Sequence, residues 1–195
     1  MNPELQIKLT TMYNQPQRYY HNMSHVNHCL GEFEEYISSR SSSLSFEKEI
    51  EYTLWFHDVV YNPHSKINEL NSAKFFDEVS TSSLCGPLDH SVVFALILGT
   101  QNHQVGSESL KEAHNIVNDI DYSILGQQQK VYLEYIQNIR KEYYFVEYQK
   151  FSKLRKQFLV DLLKHDRIYQ TEYFHKKYEK KARANIAKEI DMLSV

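Results

Sequence analysis

The chain has 195 residues with 42% hydrophobic and 13% aromatic side chains, 5 Gly and 4 Pro, enough to bury one sizeable core and too little for two ordinary domains. Its formal charge is −3 and it carries two cysteines, Cys29 and Cys85, which excludes a disulfide-stapled fold. Its longest apolar stretch, Val92 to Leu98, is far too short for a membrane span.

In chain order, the start Met1-Asn2-Pro3-Glu4 has no basic region followed by an apolar one, so a cytoplasmic address is expected. Phe46, Ile50 and Leu54 form a helical stripe that continues into His57-Asp58. Asn68 opens a helix expected to run through Val79, and Pro87 fits the first turn of another directed towards His103, with Val92, Leu96 and Gly99 on its face. The segments from about Glu108 to Ile120, Ser123 to Glu142, Glu147 to Arg167 and Thr171 to Leu193 read as further helices. Loops are expected at Ser38–Ser45, Tyr61–His64 and Ser80–Gly86, where Ser, Thr, Pro and Gly cluster. The pattern predicts an all-α, single-domain helical bundle over residues 1–195, with a core at about 18–126 and C-terminal helices at about 127–195. The series Phe151, Leu154, Phe158 and Leu162 reads as core packing, and Lys176-Lys177 with Lys180-Lys181 as a solvated face.

Charge is unevenly spread. Arg140 to Arg183 holds 13 basic and 6 acidic residues, against 9 basic and 19 acidic in the remainder. Such a stripe can face phosphates or RNA, but more often it is the solvated side of amphipathic helices.

The ten histidines concentrate in Tyr20-His21-Asn22-Met23-Ser24-His25-Val26-Asn27-His28, in Trp55-Phe56-His57-Asp58, and at His103. His57-Asp58 continues an apolar stripe, and a core-facing charge needs a partner. A divalent cation bound by imidazole and carboxylate supplies one. His25 lies 32 residues upstream of His57, a separation that antiparallel helices can close. Downstream, Asp119 or Asp121 could complete the set, although a helix cap or a turn accounts for either as well. Tyr19, Tyr20, Trp55 and Tyr61 flank these residues and serve as pocket wall or as stacking surface for a base. His21 and His28 share a face with His25 by spacing.

This order, His then His-Asp then Asp on successive helices, resembles the HD-domain superfamily of metal-dependent phosphohydrolases. It is most similar to a bacterial group of predicted phosphohydrolases of about 200 residues. The resemblance rests on Arg18-Tyr19-Tyr20-His21-Asn22 with His25, on Leu54-Trp55-Phe56-His57-Asp58-Val59-Val60-Tyr61, and on Asn68-Glu69 with Ser72-Ala73. It continues through Leu96-Ile97-Leu98-Gly99-Thr100 with His103, Asp119-Ile120-Asp121 with Ile124-Leu125-Gly126, Ile168-Tyr169 with Thr171 and Phe174, and Ala182-Arg183 with Asn185. It implies metal ligands His25, His57, Asp58 and Asp121, with Asp121 favoured over Asp119, although Ile120 stands where the group more often has a small residue. The metal would be Mn, Fe, Co, Ni, Zn or Mg.

What the resemblance implies is hydrolysis of a phosphate ester of a small molecule, a nucleotide above all, by metal-activated water. Asp58, Glu69 and Arg18 are the expected catalytic residues, with Glu69 as acid or base and Arg18 on the phosphoryl group. Arg18, His21 and His103 are the expected substrate contacts. Glu69 also suits a helix first turn after Asn68. Neither a membrane nor a nucleic-acid partner is expected, and a homo-oligomer is compatible. The competing readings are a non-catalytic nucleotide- or metal-binding module that retains the site, and an RNA-associated protein using Arg140 to Arg183.

Overall fold

The structure, a computed structural model, describes residues 1–80, 88–101 and 107–193. The described residues are helical with no strand, as the scarcity of Gly and Pro predicts. They divide into two compact units, Met1–Asn118 and Asp119–Val195, with the division inside a helix rather than at a linker. Among them no helix is long and apolar enough to cross a membrane.

The first unit contains α1 (Pro3–Tyr13), α2 (Met23–Ser38), α3 (Glu47–Phe56), α4 (Asn68–Ser80), α5 (His90–Gly99) and most of α6 (Lys111–Asp121). The Asn2 side chain caps α1 by accepting from the Glu4 N–H at 2.7 Å, and Pro3 occupies its first turn. Leu5, Leu9 and Tyr13, one turn apart, form its buried stripe. The Tyr13 hydroxyl donates to the Trp55 carbonyl at 3.0 Å, tying α1 to the end of α3. Val26, Phe56, Val59, Ala73, Phe76 and Ile97 continue this core across the other helices. The loop between α2 and α3 falls where the serines place it, and Phe46 closes it at φ 59°, in the left-handed region just outside α3. Helix α5 begins at His90 because Asp89 caps it, accepting from the N–H groups of Ser91 and Val92. Pro87, expected in that first turn, lies outside the described residues.

In the second unit α6 ends and a 3₁₀ turn, Tyr122–Gly126, follows, then α7 (Gln129–Glu142), α8 (Tyr148–Lys164) and α9 (Glu172–Met192). The uninterrupted helix expected from Ser123 to Glu142 is broken at Gln127 and Gln128. The Asn185 amide takes the carbonyls of Leu125 and Gln127, both at 2.9 Å, removing them from any helical ladder. Gly126 sits against Tyr178 so closely that a Cβ would lie 2.5 Å from that residue's Cβ. Helix α8 stops at Lys164 rather than Arg167, since Arg183 donates to the carbonyls of Leu163, His165 and Asp166. The expected core series on α8 is half right. Phe151 and Leu162 are buried with Ser152 and Leu159, whereas Leu154 and Phe158 face solvent. Helical rotation puts Arg155, not Leu154, on the inner face beside Phe151 and Leu159.

Candidate metal centre

The site grows from three segments of the first unit. Asn22, in extended conformation, caps α2 by accepting from the Ser24 N–H at 2.9 Å, and three residues later the helix delivers His25 to its buried face with Val26 and Cys29. Helix α3 delivers His57 at its C-terminal cap, where the His57 N–H still bonds the Thr53 carbonyl at 2.8 Å, and Asp58 lies in the turn that follows. His57-Asp58 therefore terminates the stripe rather than extending the helix.

That turn is held by side chains on both flanks. Arg18, buried, donates from Nη1 to the Asp58 carbonyl and from Nη2 to the Val59 carbonyl, each at 2.7 Å, and from Nη1 to the His21 carbonyl at 3.1 Å. Its Nε goes to Gln15 at 3.2 Å, and the guanidinium lies over the Tyr13 and Tyr61 rings. The Ser72 hydroxyl accepts from the Val60 N–H, and Asn68 exchanges two hydrogen bonds with the Asn62 backbone. Arg18 thus shapes the His-Asp turn from behind, a positioning part different from the phosphoryl contact expected of it. The geometric roles of Arg18, Asn68 and Ser72 are invisible to spacing arguments, because backbone carbonyls carry no sequence signature.

Three ligand-type atoms converge. Nε2 of His25 and Nε2 of His57 are 3.0 Å apart, and Asp58 Oδ2 lies 3.1 Å from the second and 3.6 Å from the first. The two imidazoles are buried and the Asp58 side chain is 15% exposed. His57 Nδ1 is 3.0 Å from the Leu54 carbonyl. A carbonyl only accepts, so Nδ1 carries the proton there and, in the neutral ring, Nε2 presents its lone pair to the cluster. Burial alone pushes the Asp58 carboxyl up. With the rings protonated instead, the charges of His57, His21 and His25 and a hydrogen bond from His57 reverse that and hold it well below the usual carboxylate range.

The donor set fits a divalent cation. Nitrogen and oxygen ligands about 2.0–2.2 Å from a common ion lie about 3.3 Å apart at tetrahedral angles, and the three observed separations bracket that value. A proton bridges one edge of this triangle; one cation serves all three. Cys29 also belongs here, its Sγ 3.8 Å from each ring nitrogen of His25. The two cysteines of the sequence have no metal-type spacing, but four residues after His25 is the next position on the same helical face.

The other expected residues fall as follows. His21 is half-buried, its ring stacked on Tyr61 at 4.1 Å and edge-on to Tyr20 at 4.9 Å, with the His25 ring 6.0 Å away. Glu69 stands half-buried in the first turn of α4. His103 lies outside the described residues. Asp121 ends α6 in the second unit, partly buried beside Tyr122, whose phenol is pushed up by burial and then by the Asp121 charge.

Asp119 has a structural task in that same unit. It accepts from the Gln170 N–H at 2.8 Å and from both the N–H and the hydroxyl of Thr171 at 2.7 Å, where Thr171 caps α9. Burial nevertheless lifts its carboxyl to about 6, against the pull of those hydrogen bonds.

No family model, curated protein or solved structure matches this chain.

Proposed function

We propose that the protein is a metal-dependent phosphohydrolase of the HD-domain type, acting on a phosphate ester of a small molecule, with nucleotides as the first class to test. The reading rests on one observation: His25 Nε2, His57 Nε2 and Asp58 Oδ2 meet within 3.6 Å of one another in a largely buried setting. On the strength of the resemblance, Asp121 is the further carboxylate of the set.

A divalent cation, when bound, supplies Lewis acidity towards a phosphoryl oxygen and acidifies the water it holds. The chain supplies the rest. The Asp58 carboxylate offers a negative charge to a cation. The Leu54 carbonyl keeps the His57 ring in the orientation and tautomer that a ligand requires. Arg18 fixes the backbone of the turn, so the Asp58 side chain leaves it in one direction. His21, half-buried beside the cluster, is a candidate donor to a phosphoryl oxygen, and its ring stacks on Tyr61. Glu69 is the candidate to orient the attacking water.

The basic stretch favours no nucleic-acid role. All four of its arginines are fasteners within the fold: Arg140 to the carbonyls of Tyr143 and Val146, Arg155 to Glu189, Arg167 to Glu172, and Arg183 to Glu179 and three carbonyls.

The test is a screen of nucleotides and small phosphate esters with Mn, Co, Ni, Mg or Zn, run on the wild type and Asp58→Ala. The reading expects turnover with at least one pair and its loss in Asp58→Ala at unchanged helical content. Full activity in metal-stripped protein overturns the metal mechanism. Stoichiometric metal with no turnover moves the chain to the binding-module reading.

A further inference from the structure

We infer that a solvent-facing stripe of α8 is a self-association surface, on which a second copy of this chain docks its own α8 antiparallel across a two-fold axis; the inference is independent of the metal centre. Helix α8 buries Phe151, Ser152, Leu159 and Leu162. Leu154, 59% exposed, and Phe158, 39% exposed, stand one turn apart on a flank that turns away from that face. Single exposed apolar side chains are ordinary, but these two are adjacent and charges frame them in order. Phe158 is also held in place. The Arg155 guanidinium lies 5.5 Å from its ring centroid and is itself tied to Glu189 at 2.8 Å, so little side-chain freedom remains to be lost on docking.

The charges decide the occupant. At helical spacing along the same stripe, Glu147 and Lys150 precede Leu154, and Asp161 and Lys164 follow Phe158, all four exposed. The stripe thus runs minus, plus, apolar, apolar, minus, plus, and its reverse is its own complement. With Leu154 level with the partner's Phe158, Lys150 comes within one residue, about 1.5 Å along the axis, of the partner's Asp161, and Glu147 comes as close to the partner's Lys164. The two-fold axis repeats both pairs at the other end. Glu147 and Lys150 make no ion pair among the described residues, and Asp161 meets only exposed partners, Lys164 at 2.7 Å and Gln157 at 2.8 Å, whose hold is weak. A purely acidic or purely basic partner would meet like charge at two of the four positions. Helix α8 has 17 residues, about 25 Å, and one helix face of that length falls short of the about 1,200 Å² of a stable interface. The dimer is therefore a weak one, populated at high protein concentration.

The experiment is sedimentation equilibrium of the full chain from micromolar to near-millimolar concentration, in the wild type, Leu154→Glu, Lys150→Glu, Asp161→Lys, and an equimolar mixture of the last two. All three substitutions fall on exposed positions, and helical content by circular dichroism confirms that each variant is folded. The wild-type mass is expected to rise from the 23.2 kDa of one chain towards twice that value, while Leu154→Glu stays monomeric. Lys150→Glu and Asp161→Lys each set like charges together at both ends of the pair, and alone each weakens association about tenfold or more. Mixed, they restore it, because every opposed pair is then of opposite sign. A wild type that stays monomeric throughout overturns the inference and leaves the stripe to another partner or to water. A dimer that survives Leu154→Glu, or a mixture that associates no more tightly than either variant alone, puts the contact on another face and overturns it as well.

Discussion

Both units bury charged and titratable side chains, but they satisfy them in opposite ways. In the second unit every buried carboxylate described above meets donors. Asp119 takes two backbone N–H groups and a hydroxyl. Glu179 takes the N–H groups of Ile168 and Tyr169 and the Arg183 guanidinium. Glu189 takes Arg155 and the Tyr132 hydroxyl. In the first unit, the His25 and His57 nitrogens and the Asp58 oxygen face one another. A buried carboxylate surrounded by donors is a fastener; acceptors gathered around a common point suit a cation. The contrast separates the two kinds of polarity more sharply than burial does, since both groups are largely inside.

The contrast breaks first at the cluster. His57→Ala should abolish metal retention and lower turnover by more than the about 10- to 100-fold typical of losing an outer-shell partner, with thermal stability held or raised once the buried imidazole is gone. A variant that unfolds and keeps its metal until it does so would put His57 among the fasteners. In the second unit the order reverses. Glu189→Ala strands the buried Arg155 and should cost about 3–5 kcal/mol in urea unfolding, with metal content unchanged.

Asp119 and Asp121 sharpen the same division within three residues. Asp119→Asn puts an amide N–H against donors at the start of α9 and should cost about 1–3 kcal/mol. Asp121→Asn should weaken metal binding. Swapped outcomes would exchange the two roles. The smallest effect is one of pH. Burial pushes the Glu179 carboxyl up, but the Tyr169 and Ile168 N–H groups and Arg183 outweigh it and hold it below the usual value of 4.5. A carboxylate depressed in the fold adds stability that is present above the unfolded value and lost as pH falls through the folded one. Acid titration of unfolding should therefore show a loss beginning below about pH 4.5, and Glu179→Gln should flatten it. An unchanged acid limb would remove Glu179 from the fasteners.

The sequence carried the α4 start at Asn68 and the α9 cap at Thr171, because both are local signals. It also pointed to His25 with His57-Asp58, through the resemblance and through a His-Asp pair that continues an apolar stripe, and these three side chains lie together in the first unit. It could not carry the break before α7 or the early end of α8. Those depend on Asn185 and Arg183 reaching carbonyls 58 to 60 and 17 to 20 residues away, and no periodicity records such a bond. Helix α1 was not among the expected helices: three apolar positions, Leu5, Leu9 and Tyr13, are few to read a period from. Residue type suggests a catalytic role for Arg18, and its partners add a positioning one that only the fold reveals.

The central claim is that the first unit's cluster holds a divalent cation. Elemental analysis of protein purified without added metal or chelator, set beside His57→Ala, tests it most directly. The account predicts close to one equivalent or more of a transition metal in the wild type and a loss of most of it in the variant. A metal-free wild type that takes up none on reconstitution, or equal metal in both proteins, would contradict it.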